Sequence, residues 1–111
     1  MRRKKNTKRK GDRYEHYVAW KMRMHGYFFV TVRGKSSDYG GDITARCFPF
    51  GSIVVQCKNY KGKVGVKAVQ EAYAAKTYYR TSRAAVATNS TFTKNAETLA
   101  KACNVELWSK Y

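Results

Sequence analysis

A carboxylate at Asp42, an amide at Gln56 and an ammonium at Lys58 are the groups whose types and spacing point to chemistry. They fall within residues 38–60, which read as two β-strands, 42–48 and 52–58, the second carrying the β-branched run Ile53-Val54-Val55. Between them Phe48-Pro49-Phe50-Gly51 combines a fixed φ with a permissive glycine, which is turn chemistry. Side chains alternate along a strand, so Gln56 and Lys58 share a face with Val54, and Ile53, Val55 and Cys57 take the other. Antiparallel pairing about that turn sets Asp42 opposite residue 57, to within a residue. Three polar groups therefore meet at one end of a hairpin.

Polar groups so placed cost free energy unless paired. One reading is structural, an Asp42–Lys58 ion pair at a sheet edge with Gln56 solvated. The other is a metal site, with Asp42 and the Gln56 oxygen as hard ligands suited to Mg²⁺ and Lys58 aimed at a phosphate or an attacking water.

The elements that must position these groups follow from periodicity. A helix is expected over residues 13–25, capped by Asp12 and closed by Gly26. On it Glu15, Val18, Ala19 and Met22 form one stripe, so an acid lies on the face that should meet the core. Either Glu15 pairs with a lysine at the stripe edge, or it points towards the hairpin mouth as a further carboxylate for the metal or its water. Residues 27–33 read as a strand and 34–41 as a polar loop holding Lys35 and Asp38, the latter a loop organiser or a partner to the site residues.

A basic, glycine-containing loop with Lys61 and Lys63 opens a helix over residues 66–80, whose inner side is expected to hold Val66, Val69, Tyr73 and Lys76 or Thr77. Gln70 is balanced between an exposed face and a role beside the site; Glu71 reads as an exposed face. Residues 84–88 suit a strand buried on both sides, 94–102 a helix with Ala96, Leu99, Ala100 and Cys103 inward, and 105–108 a last strand. The order αβββαβαβ is an α/β sandwich with a central mixed sheet flanked by helices.

Composition sets the partner class. The chain is expected to be one domain, residues 11–111, preceded by a disordered basic arm over residues 1–10. The 23 lysines and arginines against seven acids give +16, on a chain that is 43% hydrophobic, so the charge belongs to a folded globule whose natural partner is a polyanion. The arm carries Arg2, Arg3, Lys4, Lys5, Lys8, Arg9 and Lys10 and is read as a source of sequence-independent phosphate contacts, against the plainer role of a solubilising or localising tail. Lys35, Lys61 and Lys63 extend that candidate DNA-binding set. Cys47, Cys57 and Cys103 lack CxxC spacing and read as reduced, buried thiols. No stretch has the apolar length of a signal peptide or membrane span, so a cytoplasmic location beside the nucleic acid is expected. Trp20, Tyr78, Tyr79 and Trp108 suit base stacking or a subunit contact, although core packing is the more frequent use.

The ordered motifs resemble the catalytic domain of Mrr-type restriction endonucleases, within the PD-(D/E)xK nucleases. They are Gly11 and Glu15, Gly26-Tyr27, Asp38-Tyr-Gly-Gly-Asp42, Val55-Gln-Cys-Lys-Asn-Tyr60, Gly65-Val-Lys-Ala-Val-Gln70, Thr88, Phe92-Thr93 and Ala96, covering residues 11–108. The resemblance implies a restriction-endonuclease-like fold and Mg²⁺-dependent hydrolysis of DNA phosphodiesters, with Mn²⁺ able to substitute. It makes Asp42 the principal ligand, puts Gln56 where most of the superfamily has an acid, and adds the Cys57 backbone carbonyl. Lys58 would orient water or stabilise charge on the phosphate, and Glu15 would add a metal or water contact. With no separate recognition domain expected, target choice falls to the basic arm, the loops, a homodimer or a separate targeting protein. Archaeal Holliday junction resolvases share the fold and give the second nuclease reading. A non-catalytic DNA-binding module is the reading from another class; retention of Asp42 and Lys58 favours the enzyme.

Overall fold

The structure, a computed structural model, describes residues 2–33 and 40–111, with side chains over 13–33 and 42–111. Its elements are α1 (Arg2–Met24), β1 (Phe28–Val32), β2 (Gly40–Cys47), β3 (Gly51–Lys58), α2 (Val66–Tyr79), β4 (Arg83–Thr88), α3 (Lys94–Cys103) and β5 (Glu106–Trp108), the expected αβββαβαβ order. The five strands lie in one sheet in chain order. The β1–β2 and β2–β3 pairs are antiparallel, and β3–β4 and β4–β5 are parallel because α2 and α3 return the chain between them.

Alternation along β3 and β4 divides the core in two. Val54, Ala84 and Val86 face α2 and α3, where they meet Val69, Ala72, Ala96 and Ala100. Ile53, Val55, Cys57, Ala85 and Ala87 face α1, where they meet Val18, Ala19 and Met22. From Ala84 to Thr88 β4 is buried on both sides, and its alanines let helices approach closely on either face. Among the described residues, no helix is long and apolar enough to cross a membrane.

The turn after β2 brings Cys47 opposite Gly51, and a Cβ at 51 would lie 2.6 Å from the Cys47 thiol, so any side chain there would require that thiol to turn aside. Thr93 caps α3 by accepting a hydrogen bond from the Ala96 amide at 3.0 Å.

Three expectations change. α1 begins at Arg2, so the stretch expected as a disordered arm has a helical backbone, and Asp12 lies inside the helix instead of capping it. Lysine and arginine are good helix formers, and the weaker Asn6, Thr7 and Gly11 do not break the run; the side chains of Arg2, Arg3, Lys4, Lys5, Lys8, Arg9 and Lys10 lie outside the described ones. On α2 the buried residues are Ala68, Val69, Ala72 and Ala75, whereas Val66 and Tyr73 are exposed. Close seating of the helix on β3 and β4 selects small residues over large ones. Of the three free cysteines only Cys57 is fully buried, Cys47 and Cys103 being half-buried.

Candidate active site

The polar groups come together as the hairpin register requires. Asp42 pairs directly with Gln56, one residue from the expected partner, and Lys58 lies opposite Gly40. Period-two alternation then puts Asp42, Gln56 and Lys58 on the sheet face that carries α2. Asp42 and Gln56 line an open cleft of about 400 Å³ together with Glu71, Tyr78 and Tyr79 from α2.

Lys58 does not pair with Asp42 in the simple edge bridge that spacing allowed. Its Nζ is 2.8 Å from Glu71 Oε1, with the lysine side chain largely buried at 13% exposure. That contact with Lys58 is the charge partner of a Glu71 oxygen that is itself buried. Glu71, expected on an exposed helix face, is thus a half-buried member of the site. Its signal in the sequence was its spacing with Tyr78, two turns on along one side of the same helix.

Burial pushes the Asp42 carboxyl above the ordinary carboxylate range. The Tyr79 hydroxyl donates to it and the Lys58 ammonium attracts it, both pulling the value back, while the charge of Glu71 adds to the rise. Tyr79 responds in kind: burial, and then the negative charge of Asp42, raise its hydroxyl. Arg33 braces this end of the cleft. Its amide donates to the Asp42 carbonyl at 2.8 Å, its Nε donates to Thr44 Oγ1 at 3.0 Å, and its guanidinium lies 5.5 Å from the Tyr79 ring centre.

Glu15 is buried at 2% exposure, but it reaches the sheet from the α1 side and does not line the cleft. It sits beside Cys57, whose thiol is raised by burial first, then by the charge of Glu15, then by that of Asp42. The two carboxylates therefore approach Cys57 from either side of β3. Gln70 is exposed and is not a lining residue; Lys61 and Lys63 are exposed on the β3–α2 loop. Lys35 and Asp38 lie outside the described residues. Of the aromatics weighed between base stacking, a subunit contact and core packing, Trp20 and Tyr78 are exposed, at 55% and 78%.

The donor set suits a hard divalent cation. Asp42 supplies a carboxylate and Gln56 an amide oxygen to one cleft, Glu71 holds the Lys58 ammonium beside them, and the Asp42 carboxyl is raised by burial that a cation would relieve. Among the described residues no group of three His, Cys, Asp or Glu side chains forms a metal cluster, so a ligand set here draws on the amide and on backbone oxygen.

Three solved structures share the fold. A protein of unknown function, AF1548, superposes with a TM-score of 0.68 at 17% identity, over 86% of this chain and 55% of that one. The DNA modification-dependent restriction endonuclease AspBHI gives 0.68 at 18% identity, over 87% of this chain and 28% of the other. The apo form of EndoMS gives 0.59 at 13% identity, over 76% and 37%. This chain thus spans about half or less of the length of each neighbour. A search of curated protein sequences returns no match. The Mrr catalytic-domain model, described as a restriction endonuclease, matches residues 7–111. With that match spanning α1 to the C-terminus and carrying Asp42, Gln56 and Lys58 on the strands expected of it, the chain belongs to the Mrr-type restriction endonuclease catalytic-domain family.

Proposed function

We propose that this protein is a divalent-metal-dependent DNA endonuclease. The observation that carries the reading is the convergence of Asp42, Gln56 and Lys58 with Glu71 at one cleft of a fold that the family uses for phosphodiester hydrolysis. Fold alone would not be sufficient, since one fold hosts many functions. The side chains add the chemistry.

Asp42 and the Gln56 oxygen would hold Mg²⁺, with Mn²⁺ able to replace it, and the Cys57 carbonyl would complete the protein's share from β3; Glu15, which reaches Cys57 from the α1 side, is left out of that set. When bound, the ion supplies Lewis-acid polarisation of the scissile phosphate and a water of lowered pKa. Lys58 is placed to stabilise the negative charge that builds on the phosphate oxygens as water attacks and the P–O bond to the leaving oxygen breaks. Glu71 keeps Lys58 at the cleft and returns the negative charge that an amide at position 56 removes. Tyr79 orients the Asp42 carboxylate through its hydroxyl. Cutting both strands of a duplex with one site per chain calls for two copies acting together.

The test is cleavage of supercoiled plasmid, linear duplex and a synthetic four-way junction, each with Mg²⁺, Mn²⁺ or EDTA. Metal-dependent cutting of plasmid or duplex is expected. Cutting confined to the junction would move the protein to the resolvase reading, and binding without cutting on any substrate would overturn the nuclease assignment.

A further inference from the structure

Next to the candidate active site lies a second cleft, of about 290 Å³, on the same face of the sheet beyond the end of α2. Tyr79 lines both. Arg33, Arg46 and Arg80 surround it, and no acidic residue lines it. Among the described residues none of the three arginines makes an ion pair with a carboxylate. Three exposed guanidinium groups around one cleft of a +16 chain make a local positive potential that suits an anion.

The backbone gives an independent sign. Two of the four non-glycine residues with positive φ among the described residues, Phe29 at 52° and Arg80 at 57°, line this cleft. Arg80 closes α2 at the position where glycine is free of strain, and an arginine there costs stability. Strain of this kind persists where the side chain has a use.

We propose that Arg33, Arg46 and Arg80 hold the phosphodiester backbone of the same nucleic-acid strand whose neighbouring phosphate lies at Asp42 and Lys58. Tyr79 is the shared wall, and the Thr44 hydroxyl at the cleft floor fixes the Arg33 fork at 3.0 Å. The cleft thus sets the direction in which the strand leaves the active site, from the end of α2 towards the hairpin tip. The inference rests on the reading of DNA as the substrate and not on cleavage itself.

The experiment is equilibrium binding of a fluorescently labelled 20-base-pair duplex across a KCl series, in EDTA. The full chain is compared with the double variant Arg46→Gln/Arg80→Gly and with Lys94→Gln/Lys101→Gln, which removes the same charge from the exposed side of α3. Arg80→Gly relieves the left-handed backbone, so thermal stability is expected to hold and a binding loss cannot be ascribed to unfolding. The arginine variant is expected to lower the slope of log K against log salt by about two and to weaken binding at least tenfold near 0.1 M salt, with the lysine variant close to wild type. Equal losses in the two double variants, or no loss in the arginine one, would overturn the assignment. Because the measurement contains no divalent ion and reads no product, a chain that binds through the arginines yet never cuts would leave this cleft standing and remove the nuclease reading.

Discussion

At the scale of single residues, the Lys58–Glu71 pair is what separates this site from a plain ion bridge. Glu71 acts through Lys58 and not on the phosphate, so Glu71→Gln should lower kcat by about tenfold to a hundredfold, equivalent to roughly 1.4 to 2.7 kcal/mol of barrier, with KM for DNA little changed. Steady-state cleavage of a short duplex checks the split; an unchanged kcat would reduce Glu71 to a surface residue. Asp42, Gln56 and Lys58 were legible in the sequence because strand alternation and hairpin register are local rules. Glu71 was not, because its partner sits on another element and its helix neighbours look like an ordinary charged face. Glu15 was legible as an anomaly, an acid on an apolar stripe, but its side of the sheet was not, since that depends on which face α1 covers.

At the scale of elements, the strands and the span of α2 were readable almost to the residue, and the buried face of α2 was not. Its buried stripe is Ala68, Val69, Ala72 and Ala75, and alanines carry little hydropathy signal even where close approach to a sheet demands them. Ala72→Leu should therefore overpack the α2–sheet contact and destabilise the fold by about 1 to 3 kcal/mol, a fall in Tm that calorimetry would register. A neutral outcome would mean that α2 is free to shift.

The Arg83–Glu106 clamp ties β4 to β5 by bonds of 2.7 and 2.8 Å, while Arg83 also donates to the Tyr27 hydroxyl at 2.9 Å. The arginine holds the Glu106 carboxyl below its ordinary value. A carboxyl with a depressed folded-state pKa contributes stability that is fully present above its unfolded value and is lost as pH falls through the folded one. Glu106→Gln should thus be less stable than wild type at neutral pH, by about 1 kcal/mol or less at this half-exposed site. The gap should close as pH falls below the ordinary carboxylate value of about 4.3 and on through the lowered folded-state one, as urea titrations at several pH values would show.

At the scale of the whole molecule, +16 on 111 residues makes association with a polyanion the dominant long-range force. Residues 1–10 hold seven of the basic groups. We expect their removal to weaken DNA binding and to reduce the salt slope by up to about six, with the domain still folded because its two cores are built from residue 14 onward. Filter binding across a salt series checks this, and an unchanged slope would assign the segment a role other than phosphate contact. The fold class was legible because its element order follows from periodicity. The arginine cleft was not, because Arg33, Arg46 and Arg80 come from β-strand ends and a helix terminus that only the tertiary fold brings together.

The central claim is that Lys58 and Asp42 serve one metal-dependent hydrolytic site. It is tested most directly by the rate at which wild type, Lys58→Ala and Asp42→Asn nick supercoiled plasmid, with Mg²⁺ and with EDTA, in parallel preparations. Nicking is expected from wild type with Mg²⁺ alone, with a loss of at least a hundredfold in both variants while each still binds DNA. Nicking that survives EDTA, or that proceeds at the wild-type rate without Lys58 or without the Asp42 carboxylate, would contradict that claim.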